Sequence, residues 1–335
     1  MKHATLAALA VLGVSAWAAA PAPAAQPAPA PAPAAPAEGV ILAPRLKAGD
    51  SFTYDIARTL RVEQTEPASA SPPTVSESSL SMTVRFDVGV VRADGTTQVA
   101  CEIQRLEVRL DRAGSPVTFV HPAEEPEKAD DKPSGALATV GAYLVGRRPR
   151  LVIDREGRLG ALEGLDELPE IAGKAMKTDR SVSPDQMSIL GVDRFRDALL
   201  PIFQPAAPEL PTRLFRAGDT WSARRNVKLA DLGSMTISHA WTVSSLGESV
   251  RAAAVITAKA EPPRGIVSAA PALTLRQSSG DGQINWNPAL ARLDQRKDTL
   301  SLSTRYALGP IEIDQVETTS LEITRAGTPE TPGAQ

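Results

Sequence analysis

The sequence predicts a mainly β fold with a few helices: duplicated, curved antiparallel sheets, half-barrel-like, with helices packed over the concave side. Three observations predict it. Long stretches alternate apolar and polar residues with a period of two, the mark of a strand with one buried face. A turn-and-aromatic motif occurs twice, at Lys47 to Phe52 and at Arg216 to Trp221. The strongest helical periodicity lies between the two copies.

Taken in chain order, residues 1–18 read as a secretory signal peptide. Met1-Lys2-His3 is a basic start, Leu6 to Val14 is an apolar run too short to span a bilayer, and Ala16 and Ala18 are small. The sole cysteine is Cys101, so none follows the cleavage site and lipid attachment is excluded. A bacterial protein that is periplasmic or secreted is expected, with no transmembrane segment in the mature chain. Residues 19–38 are almost wholly Ala and Pro. Such a stretch lacks amide donors and apolar bulk, so it is expected to be a disordered spacer. The expected plan then runs through a first β unit (39–180), a linking helix segment (181–212), a second β unit (213–325) and a disordered tail (326–335).

In the first unit, Gly49-Asp50 makes a turn, because Gly accepts positive φ and Asp bonds backbone amides, and Phe52 enters a strand. Leu80, Met82, Val84, Phe86, Val88 and Val90 then alternate, Ala93-Asp94-Gly95 turns, and Gln98 to Leu110 returns. Val99, Cys101 and Ile103 share one parity while Leu106, Val108 and Leu110 share the other, which requires a bulge near Gln104 and Arg105. Leu151 to Leu159 reads as a hairpin turning at Glu156-Gly157, and a helix is expected over Leu165 to Met176.

Ser183-Pro184-Asp185-Gln186 has the form of a capping box. Behind it Ile189, Val192, Phe195, Leu199, Ile202 and Phe203 fall on one helical face, and Pro201 should kink or end the helix near Leu200. In the second unit Gly218-Asp219 turns into Trp221, and Met235, Ile237, His239, Trp241 and Val243 alternate. A turn at Gly247-Glu248 and a return from Val250 to Ala260 follow. Ser278-Ser279-Gly280-Asp281-Gly282 reads as a hairpin loop, and Arg296 to Leu308 and Ile311 to Thr324 as the last strands.

The chemistry-bearing residues are sparse. A net charge of −3, with no basic run interleaved with aromatics, gives no nucleic-acid footprint. No Gly-x-Ser-x-Gly elbow, phosphate-cradling loop or calcium loop is found. No His, Cys or carboxylate set has metal-ligand spacing. The acidic run Glu124 to Asp131 reads as a solvated loop. Aromatics make up 4% of the chain, too few for the stacking surface of a sugar cleft. No catalytic residue, metal or cofactor is therefore expected. The candidate ligand-binding residues are Val192, Phe195 and Leu199 on the helical face, with His239 and Trp241 on the buried row of a second-unit strand.

Lys47-Ala48-Gly49-Asp50-Ser51-Phe52, Val152-Ile153-Asp154-Arg155-Glu156-Gly157 and Arg216-Ala217-Gly218-Asp219-Thr220-Trp221 together resemble a group of exported bacterial proteins of unknown function with duplicated β units. More distantly, the plan is similar to envelope carriers of the lipoprotein-localisation type, half-open antiparallel barrels lidded by helices over an apolar cavity. That resemblance implies no catalytic residues, and the concave-sheet plan with the apolar helical face makes a non-enzymatic binder of a lipid, an acyl chain or a lipoprotein anchor the first expectation. An envelope protein–protein interaction or scaffold module is the alternative, and a hydrolase built on scattered carboxylates or His239 the third reading.

Overall fold

The computed structural model describes residues 17–18, 39–69, 71–112, 115–122, 135–155, 158–179, 182, 187–205, 213–229, 232–261, 272–308 and 311–327. Its strands are β1 (Trp17–Ala18), β2 (Val40–Ile41), β3 (Ser51–Thr65), β4 (Thr74–Val91), β5 (Thr97–Arg112), β6 (Ser115–His121), β7 (Arg150–Ile153), β8 (Leu159–Glu163), β9 (Leu214–Phe215), β10 (Thr220–Lys228), β11 (Ser234–Ser245), β12 (Val250–Glu261), β13 (Ala272–Asn287), β14 (Arg292–Leu308) and β15 (Ile311–Arg325). Three α-helices are among the described residues: α1 (Gly135–Val145), α2 (Leu168–Thr178) and α3 (Val192–Phe203).

Thirteen strands form one antiparallel sheet in the order β1-β10-β11-β12-β13-β14-β15-β3-β4-β5-β7-β8, with β6 also paired to β5. The last strand therefore pairs with the first long one, Arg325 opposite Tyr54 through Asp314 opposite Thr65. The sheet has two ends and does not close into a barrel. None of the described helices is long and apolar enough to cross a membrane.

Period-two patterning explains the strands, since the inward rows are buried from Leu80 to Val88, from Met235 to Val243 and from Val250 to Ile256. The parity change in β5 is resolved at Gln104. Thr83 pairs with Arg105 and Val84 with Ile103, so Gln104 is the extra residue and both apolar triplets face inward.

The two Gly-Asp turns have matching geometry. Gly49 and Gly218 have φ of 88° and 85°, which glycine adopts without a Cβ penalty. Asp50 Oδ2 accepts from the Lys47 amide at 3.0 Å, and Asp219 Oδ2 from the Arg216 amide at 2.9 Å. Each turn is sewn to the neighbouring strand, at Val88 in one copy and Val243 in the other. The aromatic that follows stacks across the strand pair in both: Phe52 on Phe86 at 5.4 Å between centroids, Trp221 on Trp241 at 5.7 Å. A guanidinium covers each pair, Arg292 over Phe52 and Arg296 over Trp241.

Two elements differ from the sequence reading. Ser278 to Gly282 is not a hairpin loop but the middle of β13, opposite Leu302 to Asp298. The Gly residues there serve close packing: a Cβ on Gly280 would lie 2.4 Å from the Thr299 carbonyl oxygen, and one on Gly282 would lie 3.0 Å from Trp241 Cη2. Such positions let a sheet bend sharply. The helix also does not stop at Leu200. Pro201 sits inside α3, which runs on to Phe203 and closes with the Gln204 amide on the Leu200 carbonyl. With the helix ending two residues later, the donor that Pro201 lacks costs a single bond near its end. The capping box at Ser183–Gln186 and the turn residues Glu156 and Gly157 lie outside the described residues, as do the spacer, the acidic run and most of the tail.

The helices cover the concave face. Helix α1 packs on β5, β6 and α2, and α3 on β8 and β14. Helix α3 buries Phe195, Leu199, Ile202 and Phe203, at roughly 1.5–3 kcal/mol each relative to exposure.

Candidate ligand-binding site

A cavity of about 120 Å³ lies between α3 and the concave face. Its walls follow from strand parity. On β10 the inward row is Trp221, Ala223, Arg225, Val227; on β3 it is Tyr54, Ile56, Arg58. A charged residue thus takes an inward position in each strand. Arg296, Asp298 and Leu300 hold the same phase on β14, with Asp298 opposite Leu321 and Leu321 opposite Arg58. Helix α3 contributes Asp197, Ala198 and Pro201 as the roof.

The convergence measures the curvature. Arg225 and Arg58 stand on strands six steps apart in the sheet, a distance of about 29 Å if the sheet were flat at ~4.8 Å per step. Both reach the one cavity, so the sheet wraps around α3.

Two ion pairs frame the space. Arg225 Nη2 donates to Asp197 Oδ2 at 2.9 Å, and Arg296 Nε to Asp298 Oδ2 at 2.8 Å. The Arg296 side chain is only 3% exposed. Burial dominates the electrostatics. It pushes the carboxyls of Asp197, Asp298 and Glu317 above their ordinary range, only partly offset by the neighbouring guanidiniums. It also lowers Arg58, and lowers Arg194 to about 10, with the other arginines of the cluster adding to the effect. Several buried polar atoms here have no protein hydrogen-bond partner: Arg194 Nη1, Arg225 Nε, Asp298 Oδ1 and Glu317 Oε1. Four guanidiniums thus gather with Asp197, Asp298 and Glu317, and Asp193 and Asp281 add negative charge beside the two aspartates.

His239 lines the cavity with its ring stacked on Trp241 (6.3 Å between centroids, 7° between planes). Burial, then Arg296 and Arg225, take its imidazole down to about 3, so it is neutral at ordinary pH. A neutral imidazole could accept a proton, whereas the Cys101 thiol is buried and pushed up by its burial. Among the described residues no group of three His, Cys, Asp or Glu could hold a metal ion.

The five residues singled out from the sequence fall in two places. His239 and Trp241 stand together at the cavity wall. Phe195 points instead into packed core with Leu80, Met82, Ile103 and Leu144, around a gap of about 10 Å³. Leu199 is fully buried and Val192 half-buried. Sequence reasoning missed Arg58, Asp197, Arg225, Arg296 and Asp298. The signal that could have found the strand residues is a charge in the inward phase of an otherwise apolar row.

No family model matches the chain, and no curated protein matches it. Among solved structures, one of lipovitellin, described for its lipid–protein interactions, is similar with a TM-score of 0.43 and 10% identity over 87% of this chain. The chain spans about a quarter of lipovitellin's length, 26%. A BenF-like porin from Pseudomonas fluorescens Pf-5 aligns over 82% of this chain and 99% of its own, with a TM-score of 0.20 and 11% identity.

Proposed function

We propose that the chain is a non-enzymatic binding protein of the bacterial envelope, exported by its N-terminal segment, which holds an apolar or amphipathic small molecule beneath α3. The observation that carries this reading is the cavity itself, where Ile237, Ile256, Leu300 and Leu321 of the concave sheet face Ala198 and Pro201 of the helix. Its volume of about 120 Å³ is near that of an apolar cavity able to hold benzene and below the roughly 300–1,000 Å³ of drug-sized pockets. It accommodates a short chain or the end of a longer molecule, the rest lying outside the roof.

Native mass spectrometry of the protein purified from its own compartment, with organic extraction, tests this. An adduct that extracts as an acyl or other amphipathic species is expected. A clean apo mass, together with no saturable uptake of a fluorescent fatty-acid probe, would sink it.

A second reading, an interaction module, is favoured by the edge of β10. Trp17 and Ala18 pair there antiparallel to Arg225 and Arg224, so the edge has backbone groups to offer an extended segment. It predicts a stoichiometric protein adduct in the same spectra and no extractable lipid.

A further inference from the structure

We propose that the cavity contains an oxyanion site anchored on Arg58, taking the carboxylate or phosphate group of a ligand, an inference that rests on the binding-protein reading above. Arg58 lines the cavity from β3, and no hydrogen bond or ion pair ties its guanidinium among the described residues. Its neighbours differ in this respect. Arg225 is held by Asp197 and Arg296 by Asp298. Arg58 is thus a planar fork of donors presented to an open space, the geometry that matches a carboxylate or phosphate.

The local surroundings of Arg58 bear on the same site. Arg58, Arg194, Arg225 and Arg296 gather with Asp197, Asp298 and Glu317, a neutral His239 stands beside them, and Asp193 and Asp281 act on Asp197 and Asp298 from further out. Burial, and after it the neighbouring guanidiniums, disfavours the charged forms of Arg58 and Arg194, and a bound anion offsets both. The apolar wall at Ile237, Ile256 and Leu300 thins the water around the site, and such ion pairs strengthen as the local dielectric falls. The wall then takes the carbon attached to the head group, which makes a short-chain carboxylate a fitting minimal probe.

The test is calorimetric titration of the full chain and of its Arg58→Gln and Arg58→Lys variants with hexanoate, hexan-1-ol and inorganic phosphate, after thermal melts confirm that each variant folds. Hexanoate is expected to bind about tenfold to a hundredfold more tightly than hexan-1-ol, the range of one charge-assisted interaction. Arg58→Gln should erase that gap by weakening hexanoate binding, and Arg58→Lys should keep part of it. Phosphate binding lost in Arg58→Gln, with neither six-carbon compound bound, would support the oxyanion site but make a free anion its ligand and overturn the amphiphile reading. Equal binding of hexanoate and hexan-1-ol in all three proteins would overturn the oxyanion site and leave the amphiphile reading standing. No binding of any probe would overturn both.

Discussion

Protonating His239 should destabilise the protein in mild acid, and the size of the effect follows from its surroundings. The imidazole is 8% exposed, and burial with Arg296 and Arg225 lowers it to about 3 in the folded state, against about 6.5 in an unfolded chain. A group whose folded value is depressed takes up its proton in the unfolded state first, so stability falls as pH drops from about 6.5 toward 3. At pH 5 nearly every unfolded molecule carries this proton and almost no folded one does. The resulting loss between pH 8 and pH 5 is about 2 kcal/mol, a large share of a typical 5–15 kcal/mol. The carboxyls of Asp197, Asp298 and Glu317 act in the opposite sense. Their folded values are raised, so their contribution is present in acid and is lost as pH rises through those values. They are common to the parent and a His239→Gln variant, so the difference between the two proteins isolates the histidine. Urea unfolding at pH 8 and pH 5 should show the parent losing about 2 kcal/mol more than the variant. Parallel losses, within about 0.5 kcal/mol, would refute the argument.

Three further substitutions test the packing. Gly282→Ala places a Cβ 2.8 Å from Asp298 Oδ1 and 3.0 Å from Trp241 Cη2, so thermal unfolding should show a loss of about 1–3 kcal/mol. Asp50→Ala should cost more than Asp219→Ala although both accept the same turn amide, because Asp50 also takes Arg292 Nη2 at 2.7 Å. Denaturant titration should show about 1 kcal/mol for Asp219→Ala and up to ~3 kcal/mol for Asp50→Ala, and equal costs would count against the Arg292 link. Tyr54→Phe removes a buried 2.6 Å bond to the Leu293 carbonyl, with an expected loss of about 1–2 kcal/mol in the same titration.

The strands were legible because each long one has a buried face, which writes its period directly into residues such as Val84, Phe86, Ile237 and Trp241. The bulge at Gln104 could be read for the same reason, since both apolar triplets of β5 must reach the core. Helix α1 was not seen. It buries Ala136, Leu137, Val140, Gly141 and Leu144 in a run that is apolar on nearly every side, so a 3.6 period has little polar contrast to reveal it. Ser278 to Gly282 misled because Gly, Asp and Ser favour turns locally, whereas here the neighbouring strands set the requirement for small residues. The cavity was beyond sequence reading for a topological reason. Arg58 and Arg225 meet only because β15 pairs with β3 and the sheet between them curls, and neither fact has a local signature.

The charges beneath α3 also bear on what the cluster is for. As a structural device it is poorly made, since desolvating two ions often costs more than their attraction returns, and packed apolar side chains of similar volume hold a core as well or better. The deficit is larger when buried atoms such as Arg225 Nε and Glu317 Oε1 have no protein partner. Elsewhere the same helix shows the cheaper solution, with Phe195 and Leu199 set in close-packed core. The roof residues Asp197, Ala198 and Pro201 are instead one acid and two small groups over three inward arginines. A fold that packs one side of α3 tightly leaves a charged hollow on the other, the place where the proposed ligand would sit.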